Sequence, residues 1–141
     1  MKVKLLKIIC VLIFAMTLIA CTKDEETTNQ NVNGKYSGIF TVEYLNGTTF
    51  SNPVTINFNG EKEYNSSGNG NNNDFYPAGG NGTYEKGEAT IVFYDTNHWL
   101  ANFDWNLILN GSYNYVLDGD KLVISADKNN IGFYKYELLK E

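Results

Sequence analysis

Tyr36-Ser37-Gly38-Ile39-Phe40-Thr41-Val42-Glu43-Tyr44, followed by Leu45-Asn46-Gly47, is the stretch that decides the fold. Tyr36, Gly38, Phe40, Val42 and Tyr44 share one face, with Ser37, Thr41 and Glu43 on the other. That two-residue period belongs to a half-buried strand. Asn46-Gly47 then marks a tight hairpin, because both central positions of a type I′ turn need positive φ.

The same grammar repeats on either side. Val54, Ile56 and Phe58 alternate with Thr55, Asn57 and Asn59 before a second Asn-Gly at Asn59-Gly60, and a shorter strand passes through Tyr64. Gly82-Thr83-Tyr84 leads to a turn at Lys86-Gly87, and Ala89 to Tyr94 is a continuous apolar strand. Phe103, Trp105, Leu107 and Leu109 alternate with Asn102, Asp104, Asn106 and Ile108, which predicts a further strand ending at Asn110-Gly111. Tyr113, Tyr115 and Leu117 run into Asp118-Gly119; Leu122 and Ile124 follow, and Tyr134, Tyr136 and Leu138 close the chain. No segment has a helical period. The pattern predicts an all-β domain, Gly34 to Glu141, of eight or nine antiparallel strands in meander order. An open sheet of that size would expose two long edges, so closure into a single up-and-down β-barrel is expected.

The first seven residues carry Lys2, Lys4 and Lys7, and Ile8 to Ala20 is apolar except for Thr17. A bilayer span needs about 20 residues, so this run fits the core of a cleaved signal peptide instead. It ends Leu18-Ile19-Ala20-Cys21, which resembles a bacterial lipobox. The resemblance implies residues 1–20 as a lipoprotein signal peptide and Cys21 as the lipidated amino terminus, a membrane anchor of three acyl chains. At about 0.8 kcal/mol per buried methylene such an anchor is lasting. With Cys10 removed and Cys21 blocked, the mature domain has no free thiol and no disulfide.

Thr22-Lys23-Asp24-Glu25-Glu26 is similar to the short Lys-then-acidic signal that sends Bacteroidetes lipoproteins to the outer face of the outer membrane. Thr27 to Asn33 is polar and aperiodic, so residues 21–33 are expected to form a flexible tether. Loss of the leader turns a formal charge of −5 into −8, eight lysines against sixteen acids. That excess, with no arginine in the chain, excludes a nucleic-acid binder and points toward solubility or a basic protein partner.

Gly34-Lys35-Tyr36 is similar to the Gly-X-Trp that opens lipocalin-like and other calycin barrels, and the meander order matches over residues 34–141. Tyr36 stands where that pattern has Trp, and neither its stacking arginine nor a C-terminal helix is present. The resemblance implies a small apolar or aromatic ligand held inside the barrel. An eight-stranded interior is just large enough to be filled by side chains or to hold one small ligand. The expected inner face (Tyr36, Phe40, Tyr44, Phe58, Tyr64, Tyr84, Phe93, Phe103, Trp105, Tyr113, Tyr115, Tyr134 and Tyr136) is crowded enough to fill it. The alternatives are therefore a packed aromatic core or a shallow pocket at one open end.

Chemistry is sparse. The only histidine lies in Asp95-Thr96-Asn97-His98-Trp99, with Asp104 nearby, but a metal site needs three or four ligands and no cofactor is implied. No nucleophile motif is present, and a non-catalytic role follows. Ser66 to Gly82 is the longest irregular segment, and its Phe75 and Tyr76 suit either a contact patch or a plug folded onto the barrel end. Phe75, Tyr76, Trp99, Trp105 and Tyr113 are the candidate ligand-contacting residues. Two functions remain: a tethered small-molecule binding module, or a solid-core interaction lipoprotein such as an acidic inhibitor or accessory subunit of a surface complex.

Overall fold

The computed structural model describes residues 31–68, 76–100 and 104–141. Eight strands are present among them: β1 (Gly34–Tyr44), β2 (Thr49–Asn59), β3 (Glu63–Ser67), β4 (Gly80–Lys86), β5 (Thr90–Asp95), β6 (Gly111–Asp118), β7 (Lys121–Lys128) and β8 (Gly132–Lys140). Each pairs antiparallel with its sequence neighbour, and β1 pairs with β8 from Tyr36↔Lys140 to Tyr44↔Gly132. The result is a closed, up-and-down, all-β barrel. It has an entry end, where the chain arrives at β1, and an opposite end carrying the β1–β2, β3–β4, β5–β6 and β7–β8 connections.

The turns form where the sequence supplies residues tolerant of positive φ. Gly47 has φ 85° in the β1–β2 turn, while Asn129 and Asn130, at 52° and 53°, make the β7–β8 turn without glycine. Gly38 has a different task at the seam that closes the barrel. A Cβ there would meet the Glu137 carbonyl oxygen at 1.9 Å, so only glycine lets β1 approach β8. β2 begins at Thr49, ahead of the Val54 alternation, because its first half pairs with β1 alone while β3 reaches only Thr55–Asn59. Pro53 lies in that half, where a missing N–H breaks no second ladder.

The inner face is aromatic from end to end. Tyr36, Tyr64, Tyr113, Tyr134, Tyr136, Phe40, Phe58 and Phe93 are all fully buried. Their rings touch in sequence: Tyr36 on Phe58 (5.8 Å between centroids), Phe58 on Phe93 (6.2 Å), Phe93 on Tyr113 (5.7 Å), Tyr113 on Tyr136 (6.1 Å) and Tyr136 on Phe40 (4.8 Å). Burying a side chain of this size contributes about 1.5–3 kcal/mol, so this ladder is the main source of stability. Tyr44 and Tyr115 are only partly buried, packed against the core from the two ends.

The expected strand over Phe103 to Leu109 is absent. Phe103 itself lies outside the described residues, Trp105–Leu107 is a single 3-10 turn, and Trp105 is 56 % exposed rather than on the inner face. The cause is local. Asp104 caps the turn by accepting from the Asn106 N–H, and Leu107, Ile108 and Leu109 are all buried, which no two-faced strand allows. The stretch expected to be tether also differs at its last two residues. Val32 is fully buried in the core, and the Asn33 side chain accepts from the Gly60 N–H, so packing begins before β1. Residues 1–30, Cys21 among them, lie outside the described residues.

Candidate functional site

The end opposite the chain's entry is closed by residues 104–110, a plug lying across the barrel mouth. Asp104 fastens its first residue. Its carboxylate accepts the Tyr134 hydroxyl at 2.9 Å and the Tyr44 hydroxyl at 3.1 Å, joining the plug to β8 and β1. Burial pushes this carboxyl up, but the bonds from Asn106, Tyr134 and Tyr44 outweigh it and hold Asp104 below the usual carboxylate range. Burial, together with the same carboxylate, pushes both tyrosines well above theirs.

Lys128, the last residue of β7, fastens the rest. Its Nζ donates to the carbonyls of Asn106 (3.0 Å), Ile108 (3.2 Å) and Asn110 (3.1 Å). The same ammonium lies over the rings of Tyr113 and Tyr134, 4.5 and 5.5 Å from their centroids. Burial pulls Lys128 down to about 8, against the opposing influence of Asp104. The Tyr64 hydroxyl donates to the Leu109 carbonyl at 2.5 Å, and Gly79 accepts from the Leu109 N–H at 2.9 Å.

Around the plug the surface is apolar and acidic. Leu45 (77 % exposed), Leu100, Trp105, Ile131 and the rim ring Phe50 are exposed here, five of the nine exposed large hydrophobic residues among those described. Leu45 and Ile131 are adjacent, the Leu45 N–H donating to the Ile131 carbonyl at 3.0 Å. Glu43, Asp95 and Asp127 lie at or next to the last residues of β1, β5 and β7 at this rim, while the Lys128 ammonium is turned inward onto carbonyls. Lys35, Lys62, Lys86, Lys121 and Lys140 all lie at the entry end, interspersed with carboxylates.

Of the residues singled out in the sequence, Phe75 lies outside the described residues. Tyr76 folds back and stacks on Phe50, 4.3 Å between centroids and 8° between planes. Trp99 donates its indole N–H to Asp95, Trp105 points into solvent, and Tyr113 is buried beneath the plug. These four share one end of the barrel. His98 is exposed, and Asp104 faces tyrosines. Among the described residues, no group of three or more metal-binding side chains converges. Lys128, Tyr44 and Tyr134 were not legible as site residues. Asp127-Lys128-Asn129-Asn130 reads as an ordinary polar turn, and the two tyrosines read as core.

An open cavity of about 430 Å³ lies at the entry end, lined by Asn31, Glu61, Tyr84 and Lys86. A second, of about 330 Å³, runs along the outer wall where β3 stops, lined by residues including Gly38, Pro53 and Gly68. Comparison with known proteins returned no significant match, whether to family models, curated proteins or solved structures.

Proposed function

We propose that the mature chain is a lipid-anchored lipoprotein of the bacterial outer membrane, acylated at Cys21, facing the cell surface and acting without catalysis as a protein-interaction module. The observation that carries this reading is the continuous ring ladder from Tyr36 to Phe40, which occupies the interior that a carried ligand would need. What remains for recognition is surface. The tether enters at one end, so the opposite end, with Leu45, Trp105 and Ile131 set among Glu43, Asp95 and Asp127, points away from the membrane. An apolar patch rimmed by carboxylates suits a basic protein surface, with the charges steering encounter and the apolar residues holding contact.

A second reading, the small-molecule binding module, is favoured by the cavity at the entry end. Its amide, carboxylate, phenol and ammonium would suit a polar molecule rather than the apolar one that the calycin resemblance implies. Native mass spectrometry of protein purified from its own host separates the two. The interaction reading expects a mass explained by polypeptide and acyl chains. A small molecule retained in the native ion and released on denaturation contradicts it.

A further inference from the structure

The plug sits in the barrel mouth as a bound peptide sits in its site. Leu107, Ile108 and Leu109 are 3 %, 4 % and 0 % exposed, so three consecutive aliphatic side chains occupy fitted apolar positions. Their main chain is met group by group by other parts of the fold. The Leu107 carbonyl accepts from the Ala78 N–H (3.1 Å), Ile108 from Lys128 (3.2 Å) and the Tyr113 hydroxyl (3.5 Å), and Leu109 from the Tyr64 hydroxyl (2.5 Å). Gly79 adds a parallel bridge to Ile108. Hydrogen bonds to a main chain combined with pockets for aliphatic side chains are how peptides are recognised.

We propose that this end is a peptide-binding site held closed in cis by the chain's own Trp105–Asn110 segment, and that its ligand in trans is an uncharged aliphatic segment of a partner protein. The site goes beyond the acidic rim contact proposed above and does not depend on the partner's charge. The fastening is separable from the site. Asp104 holds the plug through Tyr44 and Tyr134, whereas Tyr64, Tyr113, Lys128 and the chain at Ala78–Gly79 meet its main chain. Gly111, at φ 88°, is placed to act as the downstream hinge. Upstream, Thr96–Leu100 belongs to no strand. Because a site populated open only in part binds with its affinity reduced by that fraction, loosening the plug raises apparent affinity.

The test combines backbone hydrogen exchange with binding of a fluorescent synthetic peptide of sequence Trp105–Asn110. In Asp104→Asn, the amides of Leu107 and Leu109 should exchange about tenfold faster than in the parent while strand amides keep their protection. The peptide should bind at least about tenfold more tightly than to the parent, and adding Lys128→Met should weaken it again. If Asp104→Asn does not fold, Tyr44→Phe, which removes one of the two fastening bonds, carries the same measurements. Exchange of Leu107 and Leu109 only by global unfolding would overturn the proposal, as would an opened variant that fails to bind the peptide. A dimer that exchanges plugs between copies would assign the mouth to a second copy of this chain and overturn the partner.

Discussion

The Lys128 ammonium lies 4.5 Å from the centroid of the Tyr113 ring, at the junction between the aromatic core and the plug. One cation thus serves both sides: it rests on the face of the core and donates to three plug carbonyls, those of Asn106 and Ile108 in part-buried bonds. Lys128→Met keeps the apolar stem and removes the donors. Leaving buried acceptors unmet costs about 1–3 kcal/mol, so the unfolding free energy measured in urea should fall by that amount, with faster exchange at Leu107 and Leu109.

The same residue sets a pH window. Lys128 is pulled down to about 8 in the folded protein, whereas an unfolded lysine titrates near ~10.4. Between those values the unfolded chain binds the extra proton, so stability rises with pH from about 8 to about 10. Tyr64 and Tyr136 have the opposite sense, since burial pushes them well above the ordinary tyrosine value. Above about pH 10 the folded chain keeps protons that the unfolded chain releases, and stability falls. Urea titrations at pH 7, 9 and 11 should give the highest midpoint at pH 9, and Lys128→Met should abolish the gain between 7 and 9.

Two buried tyrosines should respond oppositely to loss of their hydroxyls. The Tyr136 hydroxyl is buried near that of Tyr113 and, among the described residues, makes no well-formed hydrogen bond, whereas that of Tyr64 donates to Leu109. Tyr136→Phe is expected to be neutral or stabilising by up to about 1 kcal/mol. Tyr64→Phe should cost about 1–2 kcal/mol, because it strands a buried carbonyl. Parallel thermal melts of the two variants check this.

Phe93 is the hub of the ladder, in ring contact with Phe58, Tyr64, Tyr84 and Tyr113. Phe93→Ala should destabilise the barrel by about 3–5 kcal/mol, from lost transfer energy and the cavity left behind. Equilibrium unfolding in urea measures it. A much smaller loss would show that the interior collapses around the gap.

The strands were legible because each buries one face only, so Tyr36, Phe40 and Val42, or Tyr134, Tyr136 and Leu138, betray their register by alternation. Closure followed from the cost of bare edges. The plug was not legible for the converse reason: Leu107, Ile108 and Leu109 are buried on all sides, so Ile108 breaks the period and Trp105 gives a false in-phase signal. Val32 hid as a lone apolar residue in an asparagine-rich run. Lys128 gave no signal, since nothing in its neighbours shows that its turn folds under a buried segment. Of the candidate site, Tyr76 is singled out in the sequence as either contact patch or plug, its stacking partner Phe50 is not, and Cys21 lies outside the described residues.

The central claim is that recognition occurs at the end away from the anchor. Photoreactive residues placed singly at Leu45, Trp105 and Leu139 in the full-length chain, expressed in its host, test it most directly. Leu45 and Trp105 sit at the plug end and Leu139 on the outer wall near the entry end; all three are more than half exposed. The account predicts one adduct with the same basic protein from Leu45 and Trp105, weakened by added salt and absent from Leu139. Adducts of equal yield from Leu139, or none from the plug end, would contradict it.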